Sequence, residues 1–114
     1  MQILINTDRH VDGEADLVQR LEEQIASALS RYAEQVTRVE VHLSDQNADR
    51  GGAIDMRCAL EARPAGKPPI AVGHSAATTE EACTGAVKKL RNLLDSKYGR
   101  IEARRGRESI RHLN

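Results

Sequence analysis

The chain has 114 residues, the length of one domain built around one core. Apolar residues make up 39% and charged residues 30%, with eight Gly and three Pro, which excludes a disordered, collagenous or linker-like chain. The formal net charge is zero, and the aromatics are reduced to Tyr32 and Tyr98, so the core must be aliphatic and stacking platforms for single-stranded bases are not expected.

Chain order sets out the elements. Residues Gln2 to Asn6 alternate, with Ile3 and Ile5 on one side and Gln2, Leu4 and Asn6 on the other, as in a short strand. From Glu14 to Glu34 apolar residues recur at Val18, Leu21, Ile25, Ala28, Leu29 and Tyr32, the stripe of a first helix. Thr37 to Asp45 alternates again, Val39, Val41 and Leu43 pointing inward and Arg38, Glu40 and His42 outward. Asn47 to Gly52 has hairpin turn chemistry, and a third strand over Ala53 to Ala62 buries Ile54, Met56, Cys58 and Leu60. Arg63 to Pro69 is proline-rich and cannot continue a ladder, and Ile70 to His74 is a fourth strand. Thr78 and Glu81 form a capping box for a second helix, whose apolar stripe is Cys83, Val87, Leu90, Leu94 and Tyr98 and which Gly99 should stop. Glu102 to Asn114 lacks an apolar period and reads as a flexible tail.

This order predicts an α+β fold, a two-layer sandwich of β-α-β-β-β-α order. Its four-stranded mixed sheet has the first two strands parallel, the rest an antiparallel meander, and both helices on one face. The domain spans 1–101 and the basic tail 102–114.

No apolar run approaches the roughly 20 residues that span a bilayer, and the N-terminus lacks a basic stretch followed by an apolar one. A cytoplasmic protein with no membrane partner is expected. The charge is divided unevenly: residues 1–82 hold 8 Lys and Arg against 14 Asp and Glu, and residues 83–114 hold 9 against 3, so that −6 faces +6. That division suits a domain meeting a polyanion with one element, and equally a solvated helix with a basic tail. Nine cations fall within the last 32 residues. With so few aromatics, nucleic acid would be held by phosphate contacts and shape, as structured RNA often is.

Other chemistry finds less support. Cys58, Cys83 and the four histidines show no ligand-pair spacing, so no metal is expected. Both cysteines fall on core faces and read as buried reduced thiols. A disulfide between them requires the third strand to pass under the second helix, and a cytosolic setting disfavours it. There is no phosphate loop or nucleophile elbow, and His42 with Glu40 and Arg57 reads as cross-strand ion pairing on the open sheet face rather than an acid–base cluster. No enzyme, cofactor or small-molecule substrate is expected.

The opening Met1-Gln2-Ile3-Leu4-Ile5-Asn6, the helix after it, the strand TRVEVHLSD (Thr37 to Asp45) and Lys89-Leu90 in a long second helix resemble the hibernation-promoting factor and ribosome-associated inhibitor family, over about residues 1–101. The stretch Arg57 to Val72 is similar to a subgroup of its short members. The resemblance implies binding to the small ribosomal subunit in its tRNA and mRNA path, contact of basic helix faces with ribosomal RNA, and translation inhibition in resting cells. Lys89, Leu90, Leu94 and Arg100 fit the family's second helix, whereas Asn92, Ser96 and Tyr98 stand where it usually carries basic residues. The expected RNA contacts are Lys88, Lys89, Arg91, Lys97, Arg100, Arg104, Arg105 and Arg107. The rival reading is a protein-interaction module of the same fold without RNA contacts, pairing through a sheet edge. Nothing in the sequence indicates a homo-oligomer.

Overall fold

Alternating burial along the two central strands organises the molecule. The computed structural model describes residues 1–8, 15–45 and 55–113, with only the backbone path given from residue 99 onward. The elements are β1 (Gln2–Thr7), α1 (Ala15–Ala28), a 3₁₀ turn (Ser30–Tyr32), β2 (Val36–Asp45), β3 (Met56–Pro64), β4 (Ile70–Ala76) and α2 (Thr79–Leu113). The sheet runs β1-β2-β3-β4, with β1 parallel to β2 and the other two pairings antiparallel. This is the expected four-stranded mixed sheet of an α+β fold. The hairpin turn placed at Asn47 to Gly52, and Ile54 with it, lie outside the described residues.

Register explains the layers. Val39, Val41 and Leu43 of β2 stand opposite Ala62, Leu60 and Cys58 of β3, and all six are buried. On the same face lie Ile3 and Ile5 of β1 and Ile70 and Val72 of β4, partly buried against this core. Leu21 and Ile25 of α1 and Cys83, Val87, Leu90 and Leu94 of α2 close the layer. Each leucine so removed from water contributes about 1.5–3 kcal/mol. The core is aliphatic apart from Tyr32, whose ring lies 6.0 Å from that of Tyr98.

Strand ends at Thr7, Val36 and Ala76 differ by one or two residues from those the sequence predicts, and three boundaries differ for reasons that can be read from the structure. The first helix ends at Ala28: Leu29 N–H donates the last α-type bond to Ile25, and Tyr32 N–H then bonds Leu29, three residues back. The chain tightens into a 3₁₀ turn, and Leu29 and Tyr32 stay buried because a spacing of three serves both helix types. Next, β3 continues through Arg63 to Pro64, opposite Val36. Proline is tolerated at a strand end, where its missing donor breaks no further ladder. The chain then reverses through Gly66, whose φ of 70° is the left-handed position that favours glycine, and Lys67 N–H donates to the Pro64 carbonyl. Finally, α2 passes through Gly99 and runs to Leu113. One internal glycine costs a helix about 1 kcal/mol, and the following residues, rich in Arg and Glu and free of Pro, carry the helix on. The backbone from 102 to 113 is part of this helix.

Candidate nucleic-acid interface

Helix α2 is the basic element, and its start is secured locally. The Thr78 hydroxyl accepts a hydrogen bond from the Glu81 N–H at 3.1 Å, the capping interaction read from the sequence, and the Thr78 carbonyl accepts from Ala82. Cys83, Val87, Leu90 and Leu94 then turn to the sheet, which fixes where the intervening cations point.

Those cations divide. Lys88 and Arg91, three residues apart, are exposed and line a groove of about 350 Å³ between α1 and α2, together with Gln24, Thr84, Asn92 and Asp95. Among the described residues neither Lys88 nor Arg91 forms an ion pair. Exposed polar contacts beside the groove link α1 and the 3₁₀ turn to α2. Arg20 meets Glu80 at 3.1 Å, Gln24 Nε2 donates to Thr84 Oγ1 at 2.9 Å, and Arg31 approaches Asp95 at 3.7 Å.

Lys89 points to the other side of the helix. Its Nζ donates to the Gly73 carbonyl at 2.8 Å, covering part of the β4 edge. Lys97 stands beside Ile70, Leu93 and Ser96, next to an exposed apolar strip. The predicted contacts Lys88 and Arg91 are thus brought together, while Lys89 and Lys97 are set apart from them. Arg100, Arg104, Arg105 and Arg107 lie on the α2 backbone, and their side chains are outside the described residues. Sequence reasoning does not reach Gln24 and Thr84, and it notes Asn92 only as a position where the family usually carries a basic residue. Only the docking of α1 on α2 brings Gln24 into the groove, and no local pattern announces it.

The open sheet face is a lattice of charges rather than a site. Glu40 receives Arg38 at 2.8 Å, Arg63 at 3.9 Å and His42 at 4.0 Å, and Arg63 also meets Glu61 at 3.1 Å. Arg57 does not join Glu40 and His42. Its guanidinium lies over Gly73, in the space that a side chain there would occupy. Cys58 and Cys83 are buried and free of any disulfide, and among the described residues no three metal-ligating side chains converge. Among them, too, no helix is long and apolar enough to cross a membrane.

The profile described as sigma 54 modulation protein / S30EA ribosomal protein matches residues 4–102. The chain belongs to that family. It is the family of hibernation-promoting factors that residues 1–101 resemble, and its members are ribosome-associated subunit-interface and modulation proteins. Solved structures of related fold include the N-terminal domain of Protein Y from Thermus thermophilus, at TM-score 0.68 and 19% identity, covering 84% of this chain and 98% of that one. A ribosomal subunit interface protein from Coxiella burnetii follows at TM-score 0.64 and 17% identity, covering 87% and 98%. At these identities the likeness is one of fold. No curated protein sequence matches the chain. For this S30EA family member, association with the ribosome is what membership supports, and α2 is the element whose charge suits it.

Proposed function

We propose that this protein is a non-enzymatic cytoplasmic factor that binds the small ribosomal subunit through ribosomal RNA and inhibits translation in resting or stressed cells. The observation that carries the reading is the pair Lys88 and Arg91, exposed at the α1–α2 groove and unpaired among the described residues. Cations already neutralised by neighbours gain little from a phosphate, whereas these two have their charge to give. Arginine adds a forked donor that meets two phosphate oxygens at once. Gln24, Thr84 and Asn92 supply neutral donors beside them, suited to a ribose hydroxyl or a phosphate oxygen.

Family membership supports the ribosome as the source of that RNA. Arg100, Arg104, Arg107 and Arg111 recur at intervals of four, three and four along the continued helix and extend the cationic element. Lys89 contributes after releasing Gly73, at the cost of one exposed hydrogen bond. Sedimentation with purified small and large subunits tests the reading, together with a cell-free translation assay. The protein is expected to travel with the small subunit and to lower translation in proportion to occupancy. Binding to the large subunit alone, or binding with translation unchanged, would replace this reading.

A further inference from the structure

The two cysteines are the only ones in the chain, and the fold brings them together from elements 25 positions apart. Cys58 lies on β3 with its side chain toward the helical layer, and His74 of β4 is its neighbour in register. The His74 ring packs on Gly85 of α2, so the helix crosses the sheet at this point. Cys83 lies in the same turn as Gly85 with its side chain buried in the core that holds Cys58, and the two thiols are hydrogen-bonding partners. Both side chains are wholly buried.

We infer that Cys58 and Cys83 form a latent staple, closed by a peroxide into a disulfide that ties the N-terminal half of α2 to the central strand β3. The step balances as two thiols and one hydrogen peroxide giving one disulfide and two waters. One thiolate attacks a peroxide oxygen, breaking the O–O bond and releasing water after protonation, which leaves a sulfenic acid. The second sulfur attacks that sulfenic sulfur and expels hydroxide, which takes up the remaining thiol proton.

Geometry sets both the speed and the consequence. Because both sulfurs are buried, the peroxide reaches them only when α2 lifts from the sheet, so closure is slow in the native state and follows local opening. With α2 seated on the sheet, the hydrogen bond to Cys83 and burial both push the Cys58 thiol up, while the bond it donates lowers Cys83 against the opposing effect of burial. Once closed, the bridge encloses 26 residues, β4 among them, and limits the freedom of the unfolded chain. This staple holds α2 in place whether or not the helix meets RNA.

The test is intact mass of the full chain after hydrogen peroxide, quenching and alkylation in denaturant, with and without mild urea. The expected product is a monomer 2 Da lighter that takes no alkylating group, formed faster in mild urea and reversed by dithiothreitol. Its unfolding equilibrium should shift toward the folded state by about 300-fold. Cys58→Ser and Cys83→Ser should each lack the 2 Da loss. Because the wild type alone reads closure, an unfolded variant does not obscure the result. Sulfinic acid on single cysteines, dimers linked between chains, or two alkylatable thiols after prolonged treatment in mild urea would each overturn the inference.

Discussion

Leu90 and Leu93 sit three residues apart on α2 and offer a sharp test of how that helix is seated. Leu90 is 0% exposed and Leu93 46% exposed. Truncating Leu90 to alanine removes three buried carbons, about 2.4 kcal/mol at roughly 0.8 kcal/mol per methylene equivalent. The cavity left between α2 and the sheet adds to this, giving about 3–5 kcal/mol in total. For a domain of this length that lowers Tm by roughly 12–20 °C. Leu93→Ala makes the same chemical change where the side chain is already half in water, and should cost less than about 1 kcal/mol. Urea unfolding followed by far-UV circular dichroism measures both, with m unchanged if the native state is preserved. Equal losses in the two variants would refute the seating of α2 described above.

Three further outcomes follow from local geometry. Cys58 and Cys83 should resist a thiol reagent in the native protein and react at once in denaturant; rapid native labelling would mean that one of the two core faces is wrongly assigned. Thr78→Ala removes the hydroxyl that accepts from Glu81 and should cost about 1 kcal/mol in the same urea assay, with Thr78→Ser close to wild type. Gly66→Ala should also destabilise, by about 1 kcal/mol, although nothing crowds the position, because its φ of 70° disfavours a β-carbon; a neutral or stabilising result would contradict that turn.

Legibility tracked how local the deciding interactions are. The alternation of β2 and β3 stood out because one face meets the aliphatic core and the other carries Arg38, Glu40, His42 and Arg63, two environments that select opposite residue types. The cap at Thr78 is a contact between residues three apart, and it was equally plain. The end of α1 was not, since Leu29 and Tyr32 satisfy a 3₁₀ spacing as well as an α-helical one. Nor was the length of α2, where Gly99 is a stop signal only if the chain has somewhere better to go. The division of the cations was the least visible. Lys88 and Lys89 are adjacent in sequence, yet one opens on α1 and the other reaches an edge carbonyl whose position depends on β4 being the last strand.

The central claim, that α2 meets RNA phosphates through Lys88 and Arg91, is tested most directly by the salt dependence of binding to purified small subunits. Wild type and the Lys88→Ala/Arg91→Ala variant would be titrated at several salt concentrations. Each phosphate neutralised contributes about 0.7–0.9 to the slope of log affinity against log salt, so loss of two contacts should flatten the slope by about 1.4–1.8 and weaken binding most at low salt. The fold should be unaffected, since both side chains face solvent. Identical slopes for the two proteins would contradict phosphate contact at this groove, and failure of the wild type to bind at low salt would favour the protein-interaction module instead.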